Sequence, residues 1–321
     1  MNDSLQQIAD TLLSGERIYL FPHENPDGDA VGSTAALCSM LRSMGKEAWV
    51  LIDEKLPDNL RFMEDGFFMI PDGEMEAPDI SAAVDCSLVS RFPKLADIFN
   101  SGRTKICIDH HMNSEPCGDL NYVDPETAAA GELVFMLMDL IGHEPTKKEA
   151  EDLFAAITTD TGNFLYSNTT KQSHEIVSRL FDAGINVQAV GAEIYENVAP
   201  KKFMLDAVAL SETKLYFDGR VAATAVTQDM LDKTGAVMSD AEPVVADLRK
   251  IEGVEIAICF KQRGPEKIFV SMRSKTSANV RIIAEAFGGG GHEKAAGCTL
   301  NMPLSEAMEK VLAKAGEALQ E

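Results

Sequence analysis

An α/β fold in two domains, the first a parallel sheet with helices on both faces and the second a smaller α+β unit, is predicted by three observations. Over the first half of the chain, short apolar runs alternate with segments of helical period. Beyond about residue 206 strands follow one another closely, and Asp218-Gly219 between KLYFD and RVAATAV is a hairpin signal. The 321 residues, 45% of them apolar, can fill two cores.

Near the N-terminus, Ile8, Leu12 and Leu13 have helical spacing. Arg17–Phe21 reads as a buried strand, and Ala30, Leu37, Met40, Leu41 and Met44 place a helix just after Asp29. Glu47–Ile52, Ser81–Val84 and Thr104–Ile108 are further strands, whereas Pro57–Pro78, rich in Pro, Asp and Gly, reads as irregular. Helices are expected over Ala129–Ile141, Lys147–Thr159 and Ser173–Ala183, the last closed by Gly184. The boundary is placed at a linker over 191–205, between a catalytic domain at 1–190 and a substrate-binding domain at 206–321. In the second domain a helix over Pro243–Ile251 precedes the strands VEIAICF and KIFVSM. The helix VRIIAEAF then runs into GGGGHEKAAG, and a last helix from about Pro303 carries Leu304, Met308, Leu312 and Ala315 on one face.

A net charge of −22 argues against binding long duplex nucleic acid, since phosphate contacts need a basic surface. The charge is uneven: residues 255–294 carry seven Lys or Arg against four Asp or Glu, a local +3 that leaves −25 for the remainder. No apolar run approaches a membrane span and the N-terminal stretch is polar, so a cytoplasmic protein with no membrane partner is expected. The six cysteines form no CxxC pair and read as reduced core thiols. The sequon Asn168-Thr169-Thr170 reads as accidental.

The chemistry concentrates where strands end. FPHENPDGDAVGS, residues 21–33, puts His23, Asp27 and Asp29 on a strand-to-helix loop; Gly28 permits a tight turn and the helix start favours phosphate. Asp85 ends one strand, Asp109-His110-His111 ends another, and Asp160 follows a helix. Singly, each aspartate is an ordinary cap or turn former. Recurring at the carboxyl ends of parallel strands, they converge on the edge where such sheets bind ligands. Five carboxylates there repel one another unless cations neutralise them, and oxygen ligands with imidazoles suit Mn2+ or Mg2+. Two such ions can activate a bridging water and clamp a phosphoryl group, which indicates hydrolysis of a phosphate ester or anhydride. In the second domain, the glycine run after a helix reads as a tight loop whose amides reach an anion, with His292 a phosphate or base contact. Arg273 is the fork-shaped candidate for phosphate.

Together HENPDGDAVGS, AVDCS, IDHH, TTDTGNF, SMRSK and GGGGHEKAAG, in that order, resemble the DHH phosphoesterases with an attached DHHA1 domain. Within that family the resemblance is to the bacterial oligoribonuclease (nanoRNase) and pAp phosphatase subgroup, over almost the whole chain. It implies that His23, Asp27 and Asp85 hold one metal ion, and that Asp29, Asp85, His110 and Asp160 hold the other. It also implies catalytic roles for Asp85, Asp109, His110 and His111, with Asp109 orienting a histidine and His111 touching phosphate near the leaving oxygen. Arg273, Ser274, Asn279, Gly289, Gly290, Gly291 and His292 would bind substrate from the second domain, with the active site in the interdomain cleft. The implied reaction is two-metal hydroxide attack, with Mn2+ preferred to Mg2+. The implied substrates are RNAs of about two to five nucleotides, cut to mononucleotides, and 3'-phosphoadenosine 5'-phosphate (pAp); the likeness adds a homodimer. A cyclic- or linear-dinucleotide phosphodiesterase is an alternative, and a manganese pyrophosphatase or exopolyphosphatase would use nearly the same metal residues. The pyrophosphatases, however, carry a lysine-rich motif in place of GGGGHEKAAG. A nucleotide-binding protein without turnover is the alternative outside enzymes.

Overall fold

The computed structural model describes residues 2–73, 75–111 and 115–319. The chain forms two compact units, Met1–Asn197 and Val198–Glu321.

The strands of the first unit form one parallel sheet: β1 (Arg17–Phe21), β2 (Glu47–Leu51), β3 (Phe68–Met69), β4 (Ile80–Val84), β5 (Thr104–Asp109) and β6 (Leu120–Val123), in the order β3-β2-β1-β4-β5-β6. Side chains alternate across such a sheet, so a strand covered on both faces is apolar throughout. In β1, Ile18 and Leu20 enter one core, while Tyr19 and Phe21 enter the other. The first core is closed by α1 (Leu5–Ser14), α2 (Gly28–Ser43), α4 (Ala130–Ile141), α5 (Lys147–Asp160) and α6 (Lys171–Asp182). The second is smaller, with Phe21 and Phe92 packed on Phe99 of α3 (Ala96–Ser101).

Helix α2 is buried at thirteen of its sixteen positions, which is why its sequence is small and apolar nearly all round rather than striped. Close packing against α5 requires Gly32: a Cβ there would stand 2.3 Å from the carbonyl oxygen of Asp152 and 3.1 Å from the Cβ of Ala156. Gly32→Ala is therefore expected to destabilise the protein by about 1–3 kcal/mol, the range for overpacking, as read from a urea unfolding midpoint. An unchanged midpoint would mean that the two helices separate without loss.

Two strands lie where no apolar run marks them. Strand β3 has two residues inside the stretch expected to be irregular, and β6 is a half-buried edge strand. The first unit closes with α7 (Val187–Gly191) and a π-helical turn at Ala192–Glu196.

In the second unit, α8 (Pro200–Ser211) starts within the expected linker, with Pro200 at its first turn, where a missing N–H costs nothing. The elements that follow are β7 (Lys214–Tyr216), β8 (Val221–Val226), α9 (Gln228–Thr234), α10 (Val244–Arg249), β9 (Ile256–Gly264), β10 (Lys267–Ser274), α11 (Val280–Glu285), β11 (Gly290–His292), β12 (Ala295–Leu300) and α12 (Leu304–Ala318). The sheet order is β11-β12-β10-β9-β8-β7, parallel only between β8 and β9. Ile256, Ile258 and Phe260 of β9 face a core shared with α11 and α12, and Ala257 and Cys259 face one shared with α8 and α10. The buried ridge of α12 is Ala307, Val311, Ala315 and Ala318; Leu304, Met308 and Leu312 pack beside it, half-buried.

The glycine run is not a free loop. Gly290–His292 pairs antiparallel with β12, opposite Gly297, Ala296 and Ala295. A Cβ on Gly289 would meet the carbonyl oxygen of Gly297 at 2.2 Å, and one on Gly291 that of Ala295 at 2.5 Å, while Gly288 has a φ of +72°. Three of the four glycines thus meet demands of the unit's own backbone.

All six cysteines are free and five are buried. Among the described residues, no helix is long and apolar enough to cross a membrane.

A candidate metal centre at the edge of the parallel sheet

The strand order reverses between β1 and β4: the chain runs outward from β1 to β2 and β3 on one side, and from β4 to β5 and β6 on the other. Such a reversal, outside the carboxyl ends of the strands, is where open α/β sheets bind ligands. His23 and Asp27 follow β1, Asp85 follows β4, Asp109 ends β5 with His110 and His111 next, and Asp160 is the last residue of α5.

These side chains fall into three groups whose ligating atoms lie within 4.8 Å of one another: His23, Asp27 and Asp85; Asp29, His110 and Asp160; and Asp85, His110 and His111. Asp85 joins the first group to the third. Its Oδ2 is 3.6 Å from Nε2 of His23, and its Oδ1 is 3.3 Å from Nε2 of His110 and 3.7 Å from Nδ1 of His111. With φ at +62°, Asp85 holds a left-handed conformation that a non-glycine residue adopts only where the surroundings impose it.

Backbone groups aim the ligands. Asp27 caps α2, its Oδ1 accepting the amides of Asp29 and Ala30 at 3.1 Å each, with Oδ2 left 3.8 Å from His23 Nε2. Nδ1 of His23 bonds the Glu24 carbonyl at 2.9 Å, which fixes the tautomer with Nε2 unprotonated when the ring is neutral. Asp29 accepts the amides of Ala130 and Gly131 at 2.6 and 2.9 Å. Helix α4 has no side-chain cap of its own, so Asp29 satisfies its orphan N–H groups from a different helix. His110 directs Nδ1 at the Thr127 carbonyl, 3.3 Å away, and Nε2 into the cluster, 3.6 Å from both Asp29 and Asp160. Asp109 is fully buried; one of its oxygens accepts the amides of His110 and His111 and bonds the His111 ring at 2.8 Å.

Burial first, then Asp85 and Asp160, push the carboxyl of Asp29 well above its usual range; burial, Asp27 and Asp160 do the same to Asp85. Burial raises Asp160 as well. Burial works against a charged His110, but Asp29, Asp160 and Asp109 outweigh it and raise its pKa. Among the described residues, the buried Oδ1 of Asp85 and Nε2 of His110 have no hydrogen-bond partner. Buried polar atoms are rarely left so, and crowded carboxylates with unpaired imidazole nitrogen are the donor set of a hard divalent cation. The residues present fit one.

The expected substrate residues other than His111 sit in the second unit. Arg273 lies on β10, half-buried, with one guanidinium N–H donated to the Met272 carbonyl at 3.0 Å. The buried Ser274 hydroxyl donates to the Glu293 carbonyl at 3.4 Å, and Asn279 caps α11 through the amide of Arg281 at 3.0 Å. His292 is exposed on β11.

The DHH family N-terminal domain matches residues 17–159, and the DHHA1 domain matches residues 218–321. The bifunctional oligoribonuclease and PAP phosphatase NrnA of Thermus thermophilus is 32% identical over 99% of this chain and 95% of its own length. The chain belongs to the DHH/DHHA1 phosphoesterase family. Another relative, the cyclic-di-AMP phosphodiesterase PdeA of Listeria monocytogenes, is 24% identical over 96% of this chain but only 48% of its own. Among solved structures, an exopolyphosphatase-related protein from Bacteroides fragilis superposes with a TM-score of 0.91 at 27% identity, covering 99% of this chain and 97% of that one. The DHH/DHHA1 chain thus has a full-length structural counterpart.

What the motifs did not reveal is the support beneath the ligands. Thr127, Ala130 and Gly131 act through backbone atoms, which no residue type announces. The one available signal is the run of small residues Ala128-Ala129-Ala130-Gly131, which brings the start of α4 close: a Cβ on Gly131 would stand 2.6 Å from that of Ala156.

Proposed function

We propose that this chain hydrolyses RNAs of about two to five nucleotides to mononucleotides, and pAp to AMP and phosphate, using two divalent cations, Mn2+ in preference to Mg2+. The observation that carries the reading is the gathering of His23, Asp27, Asp29, Asp85, His110 and Asp160 at one sheet edge, in a chain alike over its length to an oligoribonuclease and PAP phosphatase. His23, Asp27 and Asp85 hold one cation, and Asp29, Asp85, His110 and Asp160 the other. Bound there, the pair supplies an activated water and charge stabilisation at the phosphoryl oxygens.

The chain's own groups do the rest. Asp109 holds the half-exposed His111 ring by Nδ1, which leaves Nε2 to serve the phosphate and the leaving oxygen. Arg273, Ser274, Asn279 and His292 bind substrate. Gly290, the one glycine of its run that neither a positive φ nor a close neighbour requires, has open space beside it where a ligand can approach. A cytoplasmic location goes with this reading, supported by six unpaired cysteines.

The test is product analysis with Mn2+ on RNAs from dinucleotide to pentanucleotide, a much longer RNA, pAp, pyrophosphate and a cyclic dinucleotide. Rapid loss of the shortest RNAs and release of phosphate from pAp are expected, with Arg273→Ala and His292→Ala raising KM about tenfold or more, as loss of a charged phosphate contact does. Cleavage of the cyclic dinucleotide with RNA untouched would favour the second reading, which the likeness to PdeA supports. Cleavage of pyrophosphate alone would move the substrate to an anhydride.

A further inference from the structure

The second cation group has a support that converges on one short stretch, Thr127–Gly131. Thr127 orients His110 through its carbonyl, and Ala130 and Gly131 hold Asp29 through their amides. Asp160 comes from a different helix, and its link to that stretch is Asn168. The Asn168 Nδ2 donates to the Asp160 carbonyl at 3.1 Å and to the Ala128 carbonyl at 3.2 Å. One amide thus ties the end of α5, which carries Asp160, to the start of α4, whose amides hold Asp29 of α2.

The chain takes a strained route to make this tie. After Asp160, Gly162, Asn163 and Phe164 all have positive φ, at +56°, +57° and +63°, and the last two are residues that L-chirality disfavours there. The turn is held by Asn163 N–H to the Thr158 carbonyl at 2.7 Å, Phe164 N–H to the Thr161 hydroxyl at 3.1 Å, and the amides of Leu165 and Tyr166 to the Thr161 carbonyl at 3.0 Å each. It doubles the chain back over the end of α5, which is what allows a residue eight positions past Asp160 to reach its carbonyl. The sequence offered Asn168 only as part of an accidental sequon; its surroundings give it work.

We propose that Asn168 is a positioning residue for the second cation group, setting the distance of Asp160 from Asp29 and His110. This rests on the two-cation reading above. The rival role, capping the free carbonyls of α5, predicts lost stability but unchanged cation affinity. Because the side chain is exposed, Asn168→Ala leaves both hydrophobic cores of its unit intact.

The experiment titrates metal-free protein with Mn2+, following bound ion by calorimetry and electron paramagnetic resonance, with Asp27→Ala and Asp160→Ala assigning the two binding steps. Asn168→Ala is expected to weaken the step that Asp160→Ala removes by about tenfold or more, the usual effect of losing a support beneath a ligand, and to leave the other within about twofold. Asn168→Asp, which matches the shape but opposes two carbonyls with a charge, should do the same. Asn168→Ser, which keeps one donor, should fall between and serves if the alanine variant does not fold. Equal weakening of both steps, or wild-type affinity at both with a lower melting temperature, would overturn the proposal while leaving two cations in place. A wild-type protein that binds fewer than two ions would overturn it together with the reading on which it rests.

Discussion

Asp85→Asn is expected to lower kcat/KM by about 10³-fold or more on every substrate the enzyme cleaves, equivalent to some 4 kcal/mol of transition-state stabilisation. Asp85 is the carboxylate whose two oxygens face different partners, Oδ2 toward His23 and Oδ1 toward His110 and His111. Asparagine keeps the shape but replaces one oxygen with a donor and removes the charge, so one of the two cation groups loses a ligand and both lose a counter-charge. Residues that touch only substrate should act differently, raising KM while leaving kcat near normal. The measurement is steady-state kinetics at saturating Mn2+ on the shortest RNA and on pAp. A variant that retains more than about a tenth of wild-type activity would mean that the cations do not share Asp85, and the mechanism would have to run through one group.

How much of this was legible beforehand follows from the type of sheet. A parallel strand buried on both faces is apolar throughout, so β1, β4 and β5 appear as runs, and the first polar residue after each marks its carboxyl end. That is why Asp85 and Asp109 could be read as ligand positions from one sequence. Edge strands lack this property: β3 is two residues long and lies in the stretch that reads as irregular, and β6, half-buried along its length, shows no apolar run. The glycine run reads two ways for a related reason. Glycine serves a ligand's approach and a neighbouring strand's approach equally well, and at Gly289 and Gly291 the neighbour is β12. The least legible features are contacts between backbone groups and distant side chains, such as Asp29 with Ala130 and Gly131, 101 and 102 residues away. They depend on α2 and α4 meeting at the sheet edge, which follows from the fold and leaves no local pattern.

The same cluster should make the metal-free protein unusually sensitive to pH, in a direction opposite to ordinary acid denaturation. Burial and neighbouring carboxylates raise Asp29 and Asp85 well above the usual carboxylate value of 3.8. A carboxyl with a higher pKa folded than unfolded contributes stability that is fully present below the unfolded value and is lost as pH rises through the folded one. Asp109, Glu149 and Glu255 oppose this: burial works against their ionisation, hydrogen bonds outweigh it, and their depressed values contribute stability that is lost as pH falls. Subtracting the Asp85→Asn variant isolates the cluster. In EDTA, the variant should melt higher than wild type near pH 8, by an amount for which each 1 kcal/mol is roughly 2–4 °C in a domain of this size, and the gap should close toward pH 4. Adding Mn2+ at about a hundred times its dissociation constant should reverse the ranking, because binding to the folded state alone contributes about 2.7 kcal/mol per site and the variant binds more weakly. If metal-free Asp85→Asn is the less stable protein at every pH, Asp85 is satisfied without a cation, and the unpaired oxygen at the centre of the site needs another explanation.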